Sequence, residues 1–541
     1  MKNPVTLFKL ITFLIFSGFI FNNLSAQQIS SADIDKLVER TMKTFDVPGI
    51  AVAIVKDDKV IHSKGYGVRS LKTMQKTDEN TLFAIASNSK AFTAAALGIL
   101  VDEGKLKWND RVIDYIPEFR MYNPYVTEEF TIKDLLTHRS GLGLGAGDLM
   151  IWPDSSAFTL KEIIHNLRYL KPVSGFRTKY DYDNLLYIVA GEVVARISGV
   201  SWEEFVEARI MQPLGMTSSA ASYGRLKNKT NIIDAHVPVE GKVQVVPMTL
   251  NDVANAAGGI YSSVADMGKW AIMQMNDGKY GEGVSKQIFS KEVHQEMWSQ
   301  QTIIPVTGKT MYNTHFHSYG LGWGLTDING YKQVAHTGGL SGVVTQVVLI
   351  PELKLGIIVF TNQQSGEAFT AITNTVIDSY FGIKGIDRVK ENYDRVKANE
   401  KAAGDVTGPI WKRVEELKKG VNGQNQVVPD FSHYAGTYTD NWFGDVKISI
   451  NEDRLWFSSV MSPKLKGEML YYGGNTFVVK WNDRGFDADA FASFQLDVDG
   501  KPASFKMEAI SPSTDFSFDF QDLDFHRLKI IQISEAEVPS V

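Results

Sequence analysis

Strand-forming sequence sits at both ends of one long stretch of this chain, and helix-forming sequence fills the middle. Ile50–Val55 and Val60–His62 are β-rich runs on either side of Asp57-Asp58, a two-residue hairpin signal. Val343–Ile350 and Gly356–Thr361 repeat the pattern across Pro351-Glu352. Between them, apolar spacing predicts helices at Lys90–Glu103, Ile132–Thr137, Leu160–Leu170, Asn184–Ile197 and Trp202–Met211, and a further helix from Ile29 to Phe45 precedes the first strand. The pattern predicts one α/β domain whose sheet joins the two ends of the segment. At roughly 100–200 residues per domain, the 541 residues leave room for more than this one core.

The character changes near Ile383. Residues 384–420 are dense in Lys, Glu, Asp and Arg, with few large apolar residues beyond Ile386, Val389, Val396, Ile410, Trp411 and Leu417. That reads as a helical, solvated connector, followed by a loop to Pro429. Beyond it, short alternating runs recur at Val446–Ile450, Leu455–Phe457, Thr476–Trp481, Phe491–Leu496 and Ser504–Ala509, the pattern of a small all-β barrel or sandwich. Its aromatic residues, Tyr471, Tyr472, Trp481, Phe491, Phe516, Phe518 and Phe520, are expected to fill the core rather than line a ligand cavity. At the other end, Lys2 and Lys9 precede an apolar run from Leu10 to Phe21 and the small-residue site Leu24-Ser25-Ala26. This is the layout of a cleavable signal peptide. The expected organisation is therefore a signal peptide over 1–26, an α/β domain over 27–383, a linker over 384–429, a barrel over 430–528 and a tail over 529–541. Export to the periplasm or the medium follows, with no membrane span left after cleavage.

Composition removes several classes of function. Lys plus Arg is 56 against 62 Asp plus Glu, a net charge of −6, without the concentrated basic surface that nucleic-acid binding needs. Cysteine is absent, which excludes disulfides, thiolate nucleophiles, cysteine-ligated zinc and iron–sulfur clusters. There is no Gly-x-Ser-x-Gly elbow and no phosphate-binding loop. His315-Phe316-His317 could present two imidazoles on one face of a strand, but no nearby third ligand completes a metal site, so none is expected.

One serine stands out. In Ser87-Asn88-Ser89-Lys90 the serine and lysine are three residues apart, on one face of a helix beginning at Ser87. A lysine kept from water can lose its proton near neutral pH and activate the hydroxyl. The pair follows Leu82–Ala86 and precedes Ala91–Leu100, so it stands at the entrance to a buried helix. Tyr182-Asp183-Asn184 likewise comes just before an apolar helix. His336-Thr337-Gly338-Gly339 precedes the strand-rich Val343–Ile350, with glycines that allow close approach to the backbone.

Ser-x-x-Lys, then Tyr-x-Asn, then His-x-Gly, in this order, resembles the serine hydrolase superfamily of penicillin-binding proteins and class C β-lactamases. Leu135–Leu142, Ala257–Ser263 and Tyr319–Trp323 resemble further phrases of that family. The region from Tyr434 to about Leu528 is similar to the lipocalin-like barrel often appended to such enzymes. The resemblance implies a β-lactamase/transpeptidase-like fold: an antiparallel sheet flanked by helices, an all-helical subdomain, and the serine at their junction. It implies Ser87 as the acylated nucleophile, Lys90 as its proton acceptor and Tyr182 as a second acid/base. Asn184 would orient the acyl side chain, His336 would sit opposite Tyr182, tuning it or meeting a substrate carboxylate, and Thr337 and Gly338 would line the substrate with them. The backbone N–H groups of Ser87 and Gly339 would form the oxyanion hole. No cofactor is implied.

Two positions depart from the pattern. His336 stands where β-lactamases and transpeptidases usually carry lysine, and a histidine near its reference value is mostly neutral at pH 7. Asp183 stands where serine or alanine is commoner; as a charged residue it is expected to face solvent. The expected activity is hydrolysis, through an acyl-enzyme, of amide or ester bonds in small molecules or short peptides, with a lean to D-amino-acid peptides. A carboxylesterase, a β-lactamase and a non-turnover penicillin-binding sensor are the alternatives.

Overall fold

The computed structural model describes residues 28–248, 251–419 and 429–528. The expected signal peptide, most of the expected loop before Pro429 and the tail lie outside these residues.

Helix α1 (Ser31–Phe45) starts where the Ser30 side chain accepts the Asp33 N–H, and it buries Ile34, Val38 and Phe45. Strands β1 (Gly49–Lys56) and β2 (Lys59–Gly67) follow, joined through Asp57 and Asp58, both at positive φ as a type I′ turn requires. The sheet is completed much later by β3 (Thr302–Ile304), β4 (His317–Tyr319), β5 (Gly324–Ile328), β6 (Tyr331–Leu340), β7 (Val343–Ile350) and β8 (Leu355–Thr361). The order is β2-β1-β8-β7-β6-β5-β4-β3, antiparallel throughout, and Ile50 pairs with Thr361 so that the two ends of the segment meet.

Both faces of the sheet are covered, which is why β1 is apolar without alternation from Ile50 to Val55. Ile50, Val52 and Ile54 pack with α1 and with α5 (Gly366–Phe381). Ala51, Ala53 and Val55 face the opposite layer, which contains α2 (Ser89–Asp102) and α4 (Val264–Met275). Helix α2 is buried on all sides from Ser89 to Leu100, and its Phe92 stacks on Trp270 with ring centroids 3.9 Å apart. The segment between α2 and α4 forms the helical subdomain, centred on α3 (Leu185–Ser198), whose C-terminus is closed by Gly199 in the left-handed conformation.

The connector is a single long helix, α6 (Arg388–Lys419), with Pro409 inside it. It is less solvated than its composition predicts at its two ends. Arg388 is buried in a bidentate pair with Asp378 of α5. At the other end Val414, with Ile410 and Trp411, packs on Leu470, Val478 and Ile510 of the barrel. The barrel itself is a closed ring of eight strands, β9 (Gly436–Asp440), β10 (Gly444–Asn451), β11 (Arg454–Ser459), β12 (Lys466–Gly473), β13 (Thr476–Trp481), β14 (Ala490–Leu496), β15 (Pro502–Ala509) and β16 (Phe525–Arg527). Phe457, Phe477, Phe505 and Phe525 are fully buried inside it, with Phe505 and Phe525 stacked at 4.7 Å. Trp481 and Phe520 are buried as expected, whereas Phe518 is buried but borders a cleft rather than only the core, and Phe516 is 38% exposed. It lies on the connection between β15 and β16, which leaves the barrel and reaches the hydrolase domain.

Candidate active site

Ser87 lies in a 3₁₀ turn, Ala86–Asn88, that runs directly into α2. The turn is strained: Ala86 has φ of 48°, a conformation uncommon for a residue with a Cβ. It is held from the sheet side, where Thr345 Oγ1 donates to the Ile85 carbonyl at 2.8 Å and accepts from Asn88 Nδ2 at 2.9 Å. Strand β6 passes close behind. A Cβ on Gly338 would stand 2.2 Å from the Ile85 carbonyl oxygen, so only glycine fits there.

The Lys90 ammonium group is entirely buried, with Nζ 3.1 Å from Ser87 Oγ, 2.7 Å from Asn184 Oδ1 and 2.9 Å from the Ala257 carbonyl. Burial drives its pKa down to about 7 against the opposing pull of Asp148 and Asp183, so much of it is a neutral amine at physiological pH. Tyr182 is displaced the other way. Its hydroxyl is buried without a hydrogen-bond partner among the described residues, and desolvation holds its pKa well above the phenol value. Its ring lies 4.8 Å from Lys90 Nζ. Two titratable groups side by side thus have their proton affinities pushed apart, Lys90 toward base and Tyr182 toward acid.

Asn184 stands just before α3 but makes no side-chain cap. Its Oδ1 accepts from Lys90 and its Nδ2 donates to Asp148 Oδ2 at 2.7 Å, so both ends of the amide are engaged within the protein. His336 is buried against Tyr319. One ring nitrogen, Nδ1, lies 2.6 Å from the Thr337 carbonyl and donates to it, which leaves Nε2 to accept the Tyr319 hydroxyl at 2.8 Å. Burial, then the Lys90 cation, push its pKa down to about 3, so the ring is neutral. Beyond Ala335, strand β6 has no partner on its β5 side among the described residues, and Thr337 and Gly339 are exposed along that edge.

Asp183 does not face solvent. It is fully buried, its Oδ2 accepting from Ser140 Oγ at 2.6 Å while its N–H donates to His138 Nδ1 at 3.0 Å. Desolvation raises its pKa to about 8, so it is buried mainly as the neutral acid, and the rule that charged residues stay outside does not apply to it. His317 lines the cleft over Ser87, whereas His315 is exposed and bonds Asn313. Among the described residues no group of three or more His, Asp or Glu side chains is placed to hold a metal.

The cleft over Ser87 has a volume of about 680 Å³. Ser87, Tyr182, Asn184, His336, Thr337 and Gly339 all border it; Gly338 lies beneath. Leu144, Ile151 and Trp152 form an apolar side, and the barrel supplies Phe486, Phe516 and Phe518. Neither lysine nor arginine is among its lining residues. Sequence reasoning missed Asp148 and Phe486, and it assigned Phe516 and Phe518 to the barrel core, whereas both border the cleft. Asp148 follows a glycine-rich loop without periodicity, and nothing in the sequence placed the β15–β16 connection at the serine.

A serine at the head of a buried helix with a buried lysine amine 3.1 Å away, between an antiparallel sheet and a helical subdomain, is the arrangement of a serine hydrolase of the β-lactamase/transpeptidase fold. A family model described as Beta-lactamase matches residues 34–380, and the chain belongs to that family. Residues 429–527 match a model described as a domain of unknown function, DUF3471. The chain is 28% identical to the unguisins hydrolase ungD of Aspergillus violaceofuscus, covering 66% of each protein. It is also 28% identical to the unguisins hydrolase ungD' of Aspergillus campestris, over 87% of this chain and 88% of that one. Protein flp of Staphylococcus aureus is 28% identical over 62% of this chain and 64% of its own length. The octameric penicillin-binding protein homologue from Pyrococcus abyssi aligns with a TM-score of 0.58 at 22% identity, over 92% of this chain and all of that one, a likeness of fold.

Proposed function

We propose that this protein hydrolyses amide or ester bonds of small molecules or short peptides through an acyl-enzyme on Ser87, and that its substrates carry no carboxylate at the catalytic cleft. The observation that carries the chemistry is the buried Lys90 amine, 3.1 Å from Ser87 Oγ and largely able to accept a proton at neutral pH. Ser87 Oγ attacks the carbonyl carbon while its proton passes to Lys90 Nζ. Negative charge develops on the carbonyl oxygen, for which the Ser87 and Gly339 N–H groups are the proposed donors. The bond to the leaving nitrogen or oxygen then breaks as that atom takes a proton from Tyr182, which burial keeps as phenol, and Tyr182 is reprotonated from Lys90. Water attacks the acyl-enzyme, its proton returns through Lys90, and the acid leaves with Ser87 restored.

The preference against carboxylates rests on charge. Penicillins and peptides ending in D-alanine bring a carboxylate that a cation must meet, whereas here His336 is neutral with both nitrogens engaged and the cleft has no lysine or arginine on its walls. This favours uncharged amides, D-amino-acid amides and esters over β-lactams. The named hydrolases among the relatives support turnover rather than a sensor. Export belongs to the same proposal, on the strength of the N-terminal segment, and a mature chain beginning at Gln27 is its test.

Intact mass after brief exposure to a fluorophosphonate, a penicillin and a D-alanine ester, with Ser87→Ala alongside, tests the reading. The expected result is a fluorophosphonate adduct that depends on Ser87, rapid ester hydrolysis and no lasting penicillin adduct. A persistent penicillin adduct would instead identify a slow-turnover binding protein, and the absence of any adduct would end the hydrolase reading.

A further inference from the structure

The barrel touches the catalytic lysine through a chain of hydrogen bonds. Asp519, on the β15–β16 connection, is fully buried and accepts the N–H groups of Gly147 at 2.6 Å and Leu149 at 3.0 Å, gripping the loop on either side of Asp148. Two residues earlier, Ser517 Oγ donates to Asp148 Oδ2 at 3.0 Å. The same oxygen receives Asn184 Nδ2 at 2.7 Å, and Asn184 Oδ1 receives Lys90 Nζ at 2.7 Å. Phe516 stands edge-on to the Tyr182 ring at 5.7 Å. A side chain on Gly145 would collide with the Phe516 carbonyl, 2.5 Å from an added Cβ, so that loop is shaped to admit the barrel segment.

Asp148 itself is fully buried, and its Oδ1 has no hydrogen-bond partner among the described residues. The charged and titratable groups that act on it or that it acts on are Lys90, Asp183, Asp515, Asp519 and the Tyr182 phenol, of which only Lys90 can be a cation. An ionised Asp148 favours the ammonium form of Lys90, and a protonated one releases it. What hydrogen-bonds the Asp148 carboxylate therefore bears on the base.

We propose that the barrel is part of the catalytic centre: Ser517, seated by Asp519, is a positioning residue that holds the Asp148 carboxylate and thereby, across Asn184, sets the pH at which Lys90 becomes a base. The proposal rests on the reading of Ser87 and Lys90 as nucleophile and base. It differs from the view that a C-terminal barrel bears only on substrate range, because it gives the barrel a hydroxyl in the proton balance of the reaction.

The sign of the effect is fixed. Ser517 donates to the ionised carboxylate, so Ser517→Ala makes Asp148 easier to protonate. Lys90 then loses part of its counter-charge and gives up its proton at lower pH. Asp148→Asn removes the counter-charge altogether and acts in the same direction.

The test is the rate of fluorophosphonate labelling of Ser87 in the full-length chain, followed by intact mass from about pH 5 to pH 9, a span that brackets the titration of both groups. The acid limb is expected to move to lower pH by about half a unit in Ser517→Ala and further in Asp148→Asn. The double variant is expected to move no further than Asp148→Asn alone, because the two act through one carboxylate. Ser517→Thr keeps the hydroxyl and is expected to restore the wild-type limb. An unmoved limb in folded Ser517→Ala overturns the proposal, as do additive shifts or a Ser517→Thr that behaves like alanine. Should Asp148→Asn fail to fold, Ser517→Ala and Ser517→Thr decide the matter. A wild-type protein that labels normally but whose variants keep its limb defeats this proposal alone; one that never labels defeats the hydrolase reading as well.

Discussion

Two buried regions of the helical subdomain treat the same side chain in opposite ways. Asp134 is fully buried, but Arg139 Nε and Arg177 Nε each donate to its Oδ1 at 3.0 Å, Arg177 Nη2 reaches Oδ2 at 2.6 Å, and Thr131 closes a capping box on it. Those partners outweigh desolvation and hold its carboxyl below the usual range. Asp183, equally buried, has one serine hydroxyl and no arginine, and its pKa rises to about 8. Burial makes an acid costly to ionise in both places, and the presence of a cation decides whether the result is a structural anion or a group poised to titrate. Among the described residues, no arginine or lysine lines the cleft over Ser87, which leaves the buried Lys90 beside the serine as its source of positive charge.

The contrast can be broken most decisively at the serine. Ser87→Ala is expected to abolish turnover of any ester and its fluorophosphonate adduct while leaving the urea unfolding midpoint near that of wild type. Tyr182→Phe is expected to slow turnover by about 10²–10⁴-fold, the usual effect of losing a general acid, with the larger loss for poor leaving groups in a series of amides and esters. In the structural region, Asp134→Asn leaves two arginines without their counter-charge. The expected loss is at or below about 3–5 kcal/mol, lowered because Arg177 reaches solvent, and urea unfolding measures it while activity per folded molecule stays constant.

The last contrast is in pH dependence, where the two regions should have opposite signs. The lowered pKa of Asp134 gives stability that is present above its unfolded value and lost as pH falls through the folded one. The raised pKa of Asp183 gives stability that is complete below the unfolded value, near 3.8, and lost as pH rises toward about 8. Asp183→Asn is therefore expected to flatten the decline in urea midpoint between about pH 5 and pH 8, and Asp134→Asn to flatten only the acid side. A variant pair with the same slopes as wild type would remove the distinction.

The parts of the fold that were legible in the sequence are those whose burial is simple. Strands β1, β7 and β8 are apolar on both faces, and α2 is apolar all round, so periodicity and run length identify them. Strands β3, β4 and β5 were missed because they are short, with only three to five residues each, and are separated by Gly320, Gly322 and the polar stretch around Asn313. In the barrel, Lys466–Gly473 escaped notice because glycine at both Gly467 and Gly473 weakens the strand pattern. At the site, Ser87, Lys90 and Tyr182 were visible as motifs, whereas the burial of Asp183 depends on Ser140 and His138 closing over it. Asp148 and Ser517 meet only through a docking of domains, and no local spacing encodes that.

The pairing of β1 with β8 has a consequence for how the chain acquires its shape. Gly49–Lys56 is made early and Leu355–Thr361 almost at the end of the hydrolase domain, and Asn362 adds the last link by accepting the Gly49 N–H at 2.7 Å. Such a contact between distant positions closes slowly and raises the contact order of the whole domain. Until Thr361 has emerged, Ile50–Val55 has only β2 beside it and an uncovered sticky edge. With that edge uncovered the early hairpin is open to pairing with other chains, and anything that shields it would have to act during synthesis of nearly the entire domain.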